Sequence, residues 1–92
     1  MRIRVRAFAT LRDHLGAREV EVTVDEDASV RAALAALEAD YPGLDGELLV
    51  DDRVPSTVTV LRNGRRVSAD EPGSVALSAG DELVLAPPVT GG

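Results

Sequence analysis

The side chains that usually carry covalent chemistry are scarce in this sequence of 92 residues. There is no cysteine, and all ten basic residues are arginine, so lysine is missing as well. Thiolate metal sites, iron–sulfur clusters, redox pairs and disulfides are thereby excluded. So are a P-loop, which needs its lysine on the phosphates, and a Schiff-base nucleophile. The one histidine, His14, lacks a second histidine or a cysteine to work with, and is expected to be a surface residue rather than a ligand or base. No metal site is expected. What remains is the backbone itself. The closing stretch, Pro87-Pro88-Val89-Thr90-Gly91-Gly92, follows a strand-like run from Glu82 to Ala86. Two prolines cannot donate to a sheet ladder, so the strand must stop there. Their fixed φ holds the backbone extended, and two residues without side chains follow. Fully extended, residues 87–92 reach about 20 Å beyond Ala86. The expectation is a domain over 1–86 and an arm over 87–92 that presents the Gly92 carboxylate to other proteins. A frayed end without a role is the competing reading of the same residues.

Composition narrows the partners. Ninety-two residues suit one domain. Sixteen acidic residues against ten basic ones give a formal charge of −6, a field that disfavours nucleic-acid backbones and anionic membranes. No stretch approaches the roughly 18 apolar residues needed to span a bilayer, and no signal peptide opens the sequence. A cytoplasmic protein, monomeric when free, is expected. Missing lysines also fit genomic base composition or a high-salt cytoplasm.

The elements that must position the arm follow in order. Arg2 to Ala9 alternates with the period of a half-buried strand, Ile3, Val5 and Ala7 on one face, Arg2, Arg4, Arg6 and Phe8 on the other. Leu11 to Gly16 is expected to turn the chain, and Val20 to Val24 to return as the second arm of a hairpin. Ser29 is placed to cap a helix, with Val30, Ala33, Leu34 and Leu37 on its apolar stripe and Pro42-Gly43 at its end. A short helical turn and a loop are expected over 43–56. Thr57 to Arg62 reads as a third strand, and Asn63-Gly64 as a type I′ turn that sets Leu61 opposite Arg66 and Val60 opposite Val67. In the last strand Leu83 and Leu85 face the core, Val84 and Ala86 the other side. Strands grouped around one helix indicate an α+β domain, a small mixed sheet with a helix across one face.

Four stretches carry a resemblance: Arg6-Ala7-Phe8-Ala9-Thr10-Leu11-Arg12, Asn63-Gly64, Gly80-Asp81-Glu82-Leu83 and Pro87-Pro88-Val89-Thr90-Gly91-Gly92. Together they make the sequence resemble the ubiquitin-like β-grasp sulfur carriers, of the molybdopterin synthase small subunit and thiamin sulfur carrier type, including the small archaeal modifier proteins. That family often has an aromatic residue where this sequence has Ala86, and alanine or serine where it has Thr90. The resemblance implies a β-grasp fold with a four- to five-stranded mixed sheet and one main helix. It implies that an E1-like enzyme adenylates Gly92 with ATP, no cofactor being bound by the chain itself. Sulfur then replaces AMP to give a thiocarboxylate. The products of that activation are of two kinds: sulfur donated to the molybdopterin synthase large subunit for molybdenum cofactor biosynthesis, or an isopeptide bond to a lysine of a target protein. A β-grasp binding module with an inert tail is a third reading. None makes the chain an enzyme by itself.

An ionised carboxylate, with a pKa near about 3.5, is a poor electrophile and must be activated by a partner. Pro87 and Pro88 reduce the entropy lost when the tail enters a tunnel, and at Gly91 and Gly92 there is no β-carbon to clash; Val89 and Thr90 link the two pairs. The docking surface is expected on the open sheet face, with Phe8 as anchor and Leu61, Arg66, Val84 and Ala86 beside it. An ordinary solvated sheet face is the alternative, as is Phe8 merely folding over the sheet edge.

Overall fold

The computed structural model describes residues 1–88. Its first strand, β1 (Arg2–Ala7), buries every second residue, and a helix α1 (Ala9–Leu15) follows at once. Then come β2 (Glu19–Thr23) and the long helix α2 (Val30–Asp40). A 3-10 turn at Pro42–Leu44 opens the long connection to β3 (Thr59–Arg62), β4 (Arg65–Arg66) and, after a second 3-10 turn at Pro72–Ser74, β5 (Glu82–Ala86). The five strands form one sheet in the order β2-β1-β5-β3-β4. β1 and β5 run parallel at its centre, and the other pairs are antiparallel. This is the mixed-sheet β-grasp architecture that the resemblance implied.

The register follows the alternation in the sequence. Ile3 pairs with Val22, Val5 with Val20 and Leu83, and Val60 with Leu85. A one-residue slip would turn this apolar set out to water. α2 lays Val30, Ala33, Leu34 and Leu37 on the buried face, all less than 1% exposed. Ser29 caps it as expected, its hydroxyl oxygen accepting from the Ala32 N–H at 3.2 Å. Leu44 and Leu48 close one end of the core, and the Glu38 carboxylate accepts from the N–H groups of Leu48 and Leu49 at 3.0 and 3.1 Å, fastening that connection to α2. Asn63 and Gly64 both have positive φ (49° and 85°), Leu61 pairs with Arg66, and the Val67 N–H donates to the Val60 carbonyl.

Three details depart from the sequence reading. The turn expected at Leu11–Gly16 is a helix, with Leu11 and Leu15 buried one turn apart and Gly16 closing it at φ 83°. Its start carries no side-chain cap at Phe8, so the usual sequence signal for an N-terminus is missing. β1 stops at Ala7 rather than Ala9, because Ala9 adopts φ 55° and breaks the extended run. β3 starts at Thr59, two residues later than expected, once the Thr57–Val58 backbone leaves the Pro55 turn.

Candidate functional site

The face of the sheet away from α2 gathers the residues that the sequence singled out. Reading across four strands, Arg6 pairs with Val84, Val84 with Leu61, and Leu61 with Arg66. Ala86 lies two residues beyond Val84 along β5, opposite Thr59 of β3. Val84, Leu61 and Ala86 are half-buried and Arg66 is exposed. Phe8 stands where β1 gives way to α1. Its N–H donates to the Leu85 carbonyl at 3.0 Å, so the backbone is pinned to β5 while the side chain is 44% exposed. The Arg6 guanidinium carbon lies 5.7 Å from the Phe8 ring centroid, a cation–π distance. Phe8, Leu61, Arg66, Val84 and Ala86 therefore share one face across three neighbouring strands and β4.

The arginine row on that face is not uniformly basic. Arg2 meets Glu21 at 3.4 Å, and Arg4 meets Glu19 and Glu82, each at 3.9 Å. These pairs are exposed and contribute little to stability, but they cancel charge at the β2 side. Among the described residues Arg6 and Arg66 stand in no such pair, so the net positive charge sits beside Phe8 and Leu61. Arg12 and Arg18 join Arg6 and Phe8 around a cleft of about 170 Å³. Nothing in their local spacing distinguished those two arginines; only the turn of the chain through α1 brings them there.

One functional support was missed. Asp81, which entered the sequence reading only within the stretch Gly80-Asp81-Glu82-Leu83, is 7% exposed. Its carboxylate accepts from the Ser78 N–H at 2.8 Å, Arg62 Nε at 2.9 Å and Asn63 Nδ2 at 2.9 Å. Asn63 Oδ1 in turn accepts from the Glu82 N–H at 2.9 Å. Burial pushes the Asp81 carboxyl up, but the bonds from Ser78, Asn63 and Arg62, with the Arg62 charge, outweigh it and hold the pKa below its ordinary value. The network locks the start of β5 to the β3–β4 turn. Its clue was the Asn63-Gly64 turn, whose side chain proved as important as its backbone.

β5 ends at Ala86, and Pro87 and Pro88 are exposed beyond it. Val89, Thr90, Gly91 and Gly92, the rest of the expected arm, lie outside the described residues. His14 is exposed on α1, as expected. Among the described residues no three His, Cys, Asp or Glu side chains are grouped to hold a metal ion, and no helix is long and apolar enough to cross a membrane.

The sequence profile of the ThiS family matches residues 5–92. Small archaeal modifier protein 3 of Haloferax volcanii is 42% identical over 92 residues, with all of both chains covered. Small archaeal modifier protein 1 of the same organism is 44% identical over 86 residues, which is 92% of this chain and 94% of that one. Among solved structures, a putative molybdopterin converting factor subunit 1 from Pyrococcus furiosus superposes with a TM-score of 0.79 at 27% identity, over 97% of this chain and 99% of that one.

Proposed function

The chain belongs to the ThiS family, and from that premise we propose that it is a sulfur carrier whose reacting group is the Gly92 carboxylate. An E1-like partner supplies what the chain lacks. The carboxylate attacks the α-phosphate of ATP, pyrophosphate leaves, and an acyl-adenylate forms. A sulfur nucleophile at the sulfide level then attacks the acyl carbon, AMP leaves, and Gly92 ends as a thiocarboxylate. That sulfur is given up in the active site of a molybdopterin synthase large subunit for the dithiolene of molybdopterin. The domain over 1–86 delivers the arm over 87–92 and performs no step itself.

The observation that carries this reading is the position of β5. It lies between β1 and β3, and it ends at Ala86, opposite Thr59 and one residue beyond the Leu85 carbonyl that holds Phe8. A partner that grips the open face meets the end of β5 at Ala86, with Pro87 and Pro88 exposed beyond it. With two strands and the Asp81 network holding β5, little ordering of the domain is left for the encounter.

The names borne by the two Haloferax relatives favour a second use of the same carboxyl. In it the ε-amine of a target lysine attacks the activated carbon, giving an isopeptide bond. Having no lysine, this chain accepts no lysine-linked copy of itself, which leaves single conjugation to each target lysine untouched.

Intact mass of the protein purified from its own host separates the two. A species heavier by the difference between sulfur and oxygen supports the carrier; Gly92 found on target lysines supports the modifier. Full complementation of a deletion strain by a chain without Gly91 and Gly92 would sink both.

A further inference from the structure

The outer edge of the sheet, at β2, holds a second surface that the tail chemistry does not use. β2 is an edge strand. The Met1 amine and the Val24 carbonyl, and the Val24 N–H and Met1 carbonyl, bond to each other, and the Ala7 N–H donates to the Arg18 carbonyl. In an antiparallel ladder these bonded pairs alternate. Val20 and Val22 therefore turn their N–H and C=O groups to β1, and Glu19, Glu21 and Thr23 turn theirs outward. Those outward groups have no backbone partner among the described residues. The other edge is blunted, because β4 is only Arg65–Arg66, whereas β2 offers a ladder of five residues.

At the Thr23 end of this edge lies a groove of about 350 Å³ between the β2–α2 connection and α2, lined by Thr23, Val24, Ala28, Ala32 and Ala36, with Asp25 and Asp27 also in its wall. Alanines one turn apart on α2 keep it open, since longer side chains there would cover β2. Glu19 and Glu21 project from the strand's other face. We propose that this edge and groove form a second docking site, and that its occupant is an extended segment of a partner protein alternating apolar and basic side chains. Strand addition satisfies the outward N–H and C=O groups. Alternation then sends the apolar side chains towards Ala32 and Ala36 and the basic ones towards Glu19 and Glu21, where they compete with the weak, exposed contacts of those carboxylates to Arg4 and Arg2, while Asp25 and Asp27 add to the attraction. A second copy of this chain fits poorly, because two-fold pairing of β2 about Glu21 sets Glu21 against its own equivalent. β2 lies two strands from β5, roughly 10 Å away, so one partner can hold this edge while another handles the tail.

The test uses the whole chain, isotopically labelled, titrated with the peptide acetyl-Val-Arg-Val-Arg-Val-amide. Saturable amide shifts confined to residues 19–36 are expected, with slowed hydrogen exchange at Glu19, Glu21 and Thr23. Acetyl-Val-Glu-Val-Glu-Val-amide is expected not to bind. Glu21→Pro removes an outward N–H, at a place where an edge strand accepts proline, together with the Glu21 carboxylate that meets Arg2 at 3.4 Å, and Ala32→Arg fills the groove from a solvent-facing helix position. Each is expected to weaken binding about tenfold or more, and Ala32→Arg carries the test if Glu21→Pro does not fold. Absence of saturable binding, shifts centred on Phe8 and Leu61, or unchanged affinity for a folded Ala32→Arg each overturn the proposal. Removing Gly91 and Gly92 leaves peptide binding intact, so this proposal and the tail chemistry fail separately.

Discussion

Replacing Phe8 by alanine tests whether the open face docks a partner. Phe8 lies outside the buried cluster that holds the domain together, so the fold is expected to survive its loss. The ring is 44% exposed, which for a side chain of about 200 Å² leaves roughly 90 Å² to be covered on docking. At about 25 cal/mol per Å², that area is worth about 2 kcal/mol of association, or about thirtyfold in affinity. Calorimetric titration of the host's E1-like enzyme with wild type and Phe8→Ala measures it directly. Thermal unfolding of both proteins runs alongside, and Phe8→Leu, which keeps most of the apolar area, is expected to lie between them. The Arg6 guanidinium over the ring adds a second handle: Arg6→Ala should weaken the same association and make it less sensitive to salt. Equal affinity for wild type and a fully folded Phe8→Ala refutes the reasoning, since it would mean that the ring stays in water in the complex.

Other consequences concern how the domain holds its working parts. The depressed Asp81 pKa contributes stability that is fully present above the unfolded value of about 3.9 and is lost as pH falls through the lower folded value. Acid unfolding should therefore be less steep in Asp81→Asn, which should also cost about 1–3 kcal/mol at neutral pH by denaturant titration. A β-carbon on Gly43 would stand 2.8 Å from the His14 carbonyl oxygen, a backbone atom that cannot swing aside, so Gly43→Ala should cost about 1–3 kcal/mol, with amide shifts at the end of α1. Ala9 holds φ 55°, so Ala9→Gly should stabilise the domain by about 1 kcal/mol, read as a rise in Tm; a fall would show that Ala9 is not strained.

Much of this arrangement was legible in the residues, and the reasons differ from one element to the next. Strict alternation through Arg2–Ala7 and Glu82–Ala86 could be satisfied only by strands with one face buried. The Ser29 cap and the Val30–Leu37 stripe left α2 little choice. Asn63-Gly64 fixed its hairpin because few other residues tolerate two positive φ values in succession. α1 was hidden because seven residues without a cap give too little periodicity, and its helix depends on Leu11 and Leu15 finding the core. Phe8, Leu61, Arg66, Val84 and Ala86 could be put on one face by counting parity, since side chains alternate along every strand. The charge of that face could not be counted the same way. Whether Arg4 is balanced depends on Glu19 and Glu82 in two different strands, and that is a matter of register. The Asp81 network is likewise tertiary, joining residues 18 and 19 positions apart.

The parallel pairing of β1 and β5 has a mechanical consequence. The two strands point the same way at the centre of the sheet, so the chain enters the domain at one end and leaves it at the other. A pull between the amino-terminal side of β1 and the Ala86 end of β5 is directed along both strands at once. The rungs joining Arg4–Ala7 to Glu82–Leu85, together with the Phe8-to-Leu85 and Arg4-to-Asp81 bonds, are then loaded in shear and must rupture together rather than peel one after another. A machine that seizes this protein and tugs along that axis meets all of those rungs side by side.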